Sequence, residues 1–329
     1  MKRLMGLAGA LSLASCAPAE IVGAPRAATA AETLLVGNKG EDTLSFIDLV
    51  NGRELGRVPT GRMPHEIAVS PDGARAAVVS YGGKSIDVFD IASRRKLRTI
   101  DLSPNEGPHG LVWLDDGRLV ATTERSQSLT IVDTRRGDTV RAIRTDQQGT
   151  HMVAVSPDKS RAYTANIADG TVTVVDLAGG RKLRDIAVGG RPEGIALTPD
   201  GRTLWVGDLE GARVQAFDTA SFERIAEVKT GPVPIRVIVS PDGRSVVTSN
   251  LGSGSLTFID ADSRRVVREV PVSGEQAAGQ VTILFSADGS RIYAAETGRD
   301  RVAEVDVATG TVPRRLPAGK NGDGLAIAR

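Results

Sequence analysis

The chain has 329 residues, of which 40% are hydrophobic, enough to bury a large core. Its 41 basic and 40 acidic side chains are mixed along the chain and leave a net charge of +1, which argues against a nucleic-acid or anionic-membrane surface. Aromatic residues make up only 3%, which argues against a platform for stacked bases. A single cysteine, Cys16, leaves no pair for an internal disulfide.

The N-terminal segment predicts export. Two basic residues precede an apolar run that is too short to span a bilayer, as in a secretory signal peptide. Leu13-Ala14-Ser15-Cys16 is similar to the bacterial lipoprotein box, which predicts a signal peptide over 1–16, lipidation of Cys16 and a periplasmic protein anchored to a bacterial membrane. Ala28-Thr29-Ala30 offers ordinary signal peptidase an alternative site. Residues 17–31, rich in Ala and Pro, are predicted to be a flexible tether.

From residue 32 onward one motif recurs, an apolar segment followed by a turn of the Ser-Pro-Asp-Gly type. The turn aspartates are Asp72, Asp116, Asp158, Asp200, Asp242 and Asp288, at intervals of 44, 42, 42, 42 and 46 residues. A period in this range is typical of solenoids and propellers. Within one repeat, residues 66–69, 75–79, 85–89 and 96–100 are rich in β-branched residues and bounded by turn residues. They predict four short strands in each repeat.

A second marker counts seven repeats. An apolar residue followed by aspartate closes the third predicted strand at Ile47-Asp48, Phe89-Asp90, Val132-Asp133, Val175-Asp176, Phe217-Asp218, Ile259-Asp260 and Val305-Asp306. The first repeat begins at its second strand, near Leu34, and the chain ends with a surplus leading strand, 323–328. These two fragments complete one sheet, and closure removes exposed sheet edges. We therefore predict an all-β, seven-bladed β-propeller over 32–329, which we expect to be a monomer.

These repeats resemble those of the YVTN-repeat β-propeller family, the YncE-like extracytoplasmic proteins. The resemblance covers roughly residues 32–329 and rests on the blade pattern G-x-x-P-x-x-x-A-x-S-P-D-G, an apolar strand that ends in Asn, and V-x-D. Tyr163-Thr164-Ala165-Asn166 and Val247-Thr248-Ser249-Asn250 come nearest to the tetrapeptide that names the family. The resemblance implies the propeller fold. It implies no single function, because such propellers host enzymes, binding modules and scaffolds.

All three histidines of the chain occupy one position of the repeat, seven residues before the turn aspartate. In ring order this position holds Asp323, His65, His109, His151, Glu193, Ile235 and Val281. It lies at the start of the innermost predicted strand, so one copy from each blade should surround a mouth of the central channel. Three imidazoles with carboxylate suit Zn, Ni, Fe or Cu. The pattern predicts a metal site formed by His65, His109, His151, Glu193 and Asp323; descent of the histidines from one duplicated blade is the alternative.

Further polar side chains are predicted on the same face. The ends of the second strands are expected to form an outer ring of Asn38, Tyr81, Glu124, Asn166, Asp208, Asn250 and Glu296. The next position of the inner strand contributes Glu66 and Arg236. Arg236 is predicted either to bind a ligand carboxylate or phosphate or to pair with Glu193 or Glu296. Glu66, Glu124, Glu296 and Arg236 are the candidate ligand-binding residues.

These features predict an exported binding module that takes a metal ion or small ligand, or a protein partner, at the channel mouth. The first alternative is a metal-dependent hydrolase, lactonase-like by analogy with other propeller enzymes, in which the ion activates water and Glu124 or Glu193 is the base. The second is an interaction scaffold that uses the blade rims. We expect no nucleic-acid partner, and membrane contact only through the lipid on Cys16.

Overall fold

The computed structural model describes residue 1 and residues 32–329. The predicted signal peptide, its Cys16 and the predicted tether lie outside the described residues. No helix in the described part of the chain is long and apolar enough to cross a bilayer.

The described chain forms strands of four to seven residues with short turns between them. The strands are β1 Thr33–Asn38, β2 Thr43–Asp48, β3 Arg53–Pro59, β4 Pro64–Val69, β5 Arg75–Ser80, β6 Ser85–Asp90, β7 Arg95–Asp101, β8 Pro108–Trp113, β9 Arg118–Thr123, β10 Ser128–Asp133, β11 Asp138–Arg144, β12 Thr150–Val155, β13 Arg161–Asn166, β14 Thr171–Asp176, β15 Arg181–Ala187, β16 Pro192–Leu197, β17 Thr203–Asp208, β18 Arg213–Asp218, β19 Arg224–Lys229, β20 Pro234–Val239, β21 Ser245–Asn250, β22 Ser255–Asp260, β23 Arg265–Pro271, β24 Gln280–Phe285, β25 Arg291–Glu296, β26 Arg301–Asp306, β27 Arg314–Pro317 and β28 Gly322–Ala328. Three short 3₁₀ helices, Glu124–Ser126, Gln276–Ala278 and Thr297–Arg299, interrupt the turns.

Seven four-stranded antiparallel sheets confirm the predicted propeller. Blade 1 joins β28 to β1, β2 and β3, and blades 2 to 7 are β4–β7, β8–β11, β12–β15, β16–β19, β20–β23 and β24–β27, each counted from the inside outward. The innermost strands of neighbouring blades touch all the way around the ring. In blade 1, Leu325 of the C-terminal strand lies opposite Val36, and Ile327 lies opposite Leu34. The predicted closure by the two ends of the repeat array is therefore confirmed.

The recurring turn residues have a structural cause. In the turn between β4 and β5, the Asp72 carboxylate accepts hydrogen bonds from the Ser70 hydroxyl at 2.5 Å and from the Ala74 backbone N–H at 3.0 Å. Gly73 adopts φ +71°, a conformation that favours glycine. The same residues at the same spacing in other blades make one hairpin repeatedly, which is why the motif marks the period.

The core lies between the blades. Where blade 1 meets blade 2, Phe46 packs with Ile67 and Phe89, and both phenylalanines are fully buried. Burying one such side chain contributes about 1.5–3 kcal/mol. Because every blade packs on two neighbours in this way, the seven inner strands form a closed ring and present their first residues at one mouth of the channel.

Candidate functional site

Each innermost strand begins with an irregular step in its pairing with the second strand. In blade 2 this step falls between Pro64 and Ile67, so His65 and Glu66 lie outside the regular ladder. A bulge of this kind bends the strand and redirects its side chains. Equivalent steps begin the inner strands of the other blades. The residues at this position form the inner ring of the mouth: Asp323, His65, His109, His151, Glu193, Ile235 and Val281.

A second ring surrounds the first. In each blade, the residue after the second strand donates its backbone N–H to the carbonyl two residues before the inner-ring position. Tyr81 bonds to Met63 at 3.1 Å, and Glu124 bonds to Gly107 at 2.9 Å. The seven residues with this bond form the outer ring: Lys39, Tyr81, Glu124, Ile167, Leu209, Leu251 and Thr297.

The predicted outer ring is therefore correct at Tyr81 and Glu124 and one residue too early in the other five blades. The residues that were predicted there, Asn38, Asn166, Asp208, Asn250 and Glu296, end the second strands and are fully buried. Glu296 pairs with Arg301 and, at 3.0 Å, with Arg315, both in its own blade. Since one step along a strand reverses the direction of the side chain, these residues serve the blade interior. Glu296 is thus engaged within its own blade, and its predicted role in ligand binding stays a prediction.

The three histidines form one contiguous aromatic group with Tyr81. Ring centroids are 4.9 Å apart for His65 and His109 and 3.5 Å apart for His109 and His151, the latter pair tilted by only 30°. The Tyr81 ring lies 4.9 Å from His65 and 5.4 Å, edge-on, from His109. His109, the middle member, is 2% exposed.

The surroundings of His65 and His109 favour neutral imidazoles at neutral pH. The His65 Nδ1–H donates to the Met63 carbonyl at 2.9 Å, which leaves Nε2 with its lone pair, 4.0 Å from Asp323 Oδ2. Burial lowers the pKa of His65, although Asp323 opposes the shift. Burial and the neighbouring His151 hold the pKa of His109 well below its ordinary value. The Nδ1 of His109 is buried without a hydrogen-bond partner.

His151 differs from the other two because carboxylates face both of its ring nitrogens. Nδ1 lies 2.7 Å from Glu124 Oε2, and Nε2 lies 3.6 Å from Glu193 Oε1. Burial lowers the pKa of His151, but the hydrogen bond to Glu124 and the nearby charge of Glu193 outweigh burial and raise the pKa to about 9. His151 is therefore an imidazolium at neutral pH.

Arg236 crosses the channel. From blade 6 its guanidinium reaches Glu193 of blade 5 at 2.9 Å and Glu66 of blade 2 at 2.8 Å. Its side chain is 6% exposed. Of the two predicted roles the structure shows pairing, with Glu193 as expected but with Glu66 in place of Glu296. On the other side of the ring, Asp323 accepts from Lys39 Nζ at 2.7 Å and from the Thr282 hydroxyl at 3.0 Å.

Eight predicted residues thus meet at one mouth: His65, Glu66, His109, Glu124, His151, Glu193, Arg236 and Asp323. Sequence reasoning missed Lys39. The strands β1, β13 and β21 end in asparagine, and taking the residue after each asparagine would have placed Lys39 in the outer ring. Within residues 32–329, no three His, Cys, Asp or Glu side chains are arranged to hold a metal ion together. One feature of the mouth accounts for this: its carboxylates already pair with cations, Glu66 and Glu193 with Arg236 and Asp323 with Lys39.

The charged state of His151 makes stability depend on pH. Its pKa is about 9 in the folded protein against 6.5 for the free side chain, so the stabilisation is fully present below about pH 6.5 and is lost as pH rises through about 9. We expect a loss on the order of 3 kcal/mol over this interval. Urea unfolding of the wild type and of His151→Gln at both ends of the interval checks this. If the stability of His151→Gln falls with pH as steeply as that of the wild type, other groups cause the pH dependence.

Comparisons with known proteins agree with the fold. A model of the family described as "Cytochrome D1 heme domain" matches residues 114–250, less than half of the chain. No curated protein matches the sequence significantly. The resemblance to the YVTN-repeat family stays a prediction.

Solved structures that are similar to this chain have low sequence identity. Hydrazine synthase of Kuenenia stuttgartiensis is 22% identical with a TM-score of 0.75, and the match covers 84% of this chain and 92% of that one. A functionally unknown protein from Desulfotomaculum acetoxidans is 16% identical with a TM-score of 0.76, covering 90% and 99%. Dihydro-heme d1 dehydrogenase NirN, solved in complex with DHE, is 15% identical with a TM-score of 0.66, covering 89% and 74%. At these identities the likeness shows the fold alone: the protein is a seven-bladed β-propeller.

Proposed function

We propose that this protein is an exported binding propeller whose channel mouth takes a metal-bearing ligand of the heme type through His65 and His109. The observation that carries the proposal is His109, a neutral ring that is 2% exposed and has an unpaired buried nitrogen. Buried polar atoms without partners are rare in folded proteins and mark places where an unseen water, ion or ligand completes the site.

The donor set favours a metal that brings most of its own ligands. A closed site for a bare ion needs three or four converging protein donors. This mouth has two neutral imidazoles, because carboxylates engage His151 on both nitrogens. One or two imidazoles suffice to hold the iron of a heme, whose macrocycle occupies the other positions. When bound, such a group would supply redox chemistry or binding of a further small molecule.

Two findings from the comparisons support this ligand class. The matching family model is that of a heme domain, and one similar structure is named as a heme d1 dehydrogenase. The N-terminal lipoprotein pattern supports export. A hydrolase is less well supported, since Glu124 pairs with His151, and Glu193 pairs with both His151 and Arg236, so neither carboxylate is free to act as a base.

The test is ligand binding by the protein purified without a histidine tag. We expect hemin to bind with one-to-one stoichiometry near pH 7 and to shift its Soret band as an imidazole coordinates. Because the pKa values of His65 and His109 are lowered, affinity should persist through the pH range in which ordinary histidines become protonated and weaken only below that range. Absence of binding of hemin and of Zn²⁺, Ni²⁺, Fe²⁺ or Cu²⁺ would overturn the proposal.

A further inference from the structure

The mouth has two chemically different halves. In the outer ring, blades 1 to 3 carry Lys39, Tyr81 and Glu124, whereas the same position in blades 4 to 6 carries Ile167, Leu209 and Leu251. The inner ring is apolar only in blades 6 and 7, which carry Ile235 and Val281, whereas blades 4 and 5 carry His151 and Glu193. Five half-buried apolar residues lie at these positions in blades 4 to 7, and we call them the apolar arc: Ile167, Leu209, Ile235, Leu251 and Val281.

Three exposed cations lie at the mouth in blades 1 to 3, and a fourth, Arg191, lies in blade 5. Arg62 and Lys320 come three residues before His65 and Asp323, and both are exposed. Arg125 follows Glu124, is exposed, and places its guanidinium 5.0 Å from the centre of the Tyr81 ring. We call Arg62, Arg125 and Lys320 the basic arc. His65 and His109 lie in the same blades as Arg62 and Arg125, and His151 lies in the first blade of the apolar arc.

We infer that the ligand is a planar amphiphilic macrocycle that lies across the mouth with an apolar edge on the apolar arc and carboxylates toward the basic arc. This inference rests on the proposed function and adds the orientation and the residues that select the ligand. A contiguous apolar surface rimmed by polar groups is typical of a binding site, and covering it contributes about 25 cal/mol per Å². Exposed guanidinium groups bind carboxylates through paired hydrogen bonds. A bare ion or a small polar metabolite would use neither arc.

Charge placed in the apolar arc tests its role. Leu209→Asp and Leu251→Asp put a carboxylate where the apolar edge of the ligand is to lie. We expect each variant to bind hemin and metal-free protoporphyrin IX at least roughly tenfold more weakly, equivalent to about 1.4 kcal/mol. The matched control is Leu183→Asp on β15, an exposed leucine outside the mouth, which should bind both as the wild type does. Thermal melting confirms that each variant is folded.

The basic arc has its own test. Arg125→Glu should weaken hemin binding, while Arg95→Glu, an exposed arginine on the outer strand β7, should not. Esterification of both propionates of the porphyrin should remove the difference in binding affinity between the wild type and Arg125→Glu.

Ni²⁺ binding separates failure of the inference from failure of the proposed function. If the wild-type protein binds Ni²⁺ but neither hemin nor protoporphyrin IX, the inference of an amphiphilic macrocycle is wrong, whereas metal binding by the histidines is retained. Unchanged porphyrin affinity in Leu209→Asp, Leu251→Asp and Arg125→Glu, with loss in a His65/His109 variant, would overturn the assigned orientation alone. Lower Ni²⁺ affinity in Leu209→Asp or Leu251→Asp would show disruption of the whole mouth and would also count against the inference.

Discussion

Replacing His109 by alanine is expected to lower hemin affinity by a factor on the order of 100 and to change the Soret spectrum, because it removes a metal-coordinating imidazole from the mouth. Replacing Val281 by alanine is expected to change affinity much less, roughly threefold or below. Both residues occupy the inner ring at the same step of their inner strands. A general loss of packing at this position would therefore weaken hemin binding in both variants alike, whereas loss of a metal-coordinating imidazole would lower the affinity far more in His109→Ala than in Val281→Ala.

The measurement is an absorbance titration with hemin at about pH 7, accompanied by urea unfolding of each variant. The double variant His65→Ala/His109→Ala removes both neutral imidazoles and should abolish the coordinated spectrum. If the single and double variants match the wild type in affinity and spectrum, the histidines are remnants of a duplicated blade and the proposed function is wrong.

Replacing Arg236 by alanine is expected to destabilise the fold by about 3–5 kcal/mol, because it leaves the Glu66 carboxylate buried without a cation and Glu193 with His151 alone. The side chains of Glu66 and Glu193 are only 13% and 9% exposed. The control is Arg136→Ala. The side chains of Arg136 and its partner Asp138 are 73% and 48% exposed, so this ion pair should contribute less than about 1 kcal/mol to stability. The quantity to measure is the free energy of unfolding in urea.

A rescue experiment separates buried charge from lost packing. Adding Glu66→Gln and Glu193→Gln to Arg236→Ala removes both carboxylate charges and should restore a part of the lost stability. If Arg236→Ala unfolds at the wild-type urea concentration, the cross-channel ion pair does not support the ring.

The fold was predictable because its determinants are local. Turn chemistry such as Ser70, Asp72 and Gly73 recurs with a constant period, and each strand carries its own β-branched pattern. The predicted third-strand ends, from Asp48 to Asp306, coincide with the ends of β2, β6, β10, β14, β18, β22 and β26. The closure of the ring could be predicted because the first repeat lacks its leading strand and the chain ends with a surplus one.

The site was predictable only in part. The inner ring could be predicted because the three histidines occupy the same position of the repeat. The outer ring required the end of each second strand to be placed without an error of even one residue. A shift of one residue moves a side chain to the other face of the strand. The contact between Arg236 and Glu66 joins residues 170 positions apart in different blades, and no local pattern encodes it. Protonation is equally non-local: His109 and His151 share a repeat position, yet neighbouring carboxylates charge one and burial keeps the other neutral.

The position after the inner ring also varies around the mouth in a regular way. In blades 1 to 7 it holds Gly324, Glu66, Gly110, Met152, Gly194, Arg236 and Thr282. A Cβ on Gly110 would lie 2.8 Å from the His151 carbonyl oxygen, and one on Gly194 would lie 2.6 Å from the Val237 nitrogen, so these glycines let the next blade come close. Glycine and a side chain alternate from blade 1 to blade 6, and an odd number of blades cannot continue the alternation. The ring therefore has a seam between blades 6 and 7, where Arg236 and Thr282 follow one another, and its sevenfold symmetry is broken within the apolar arc.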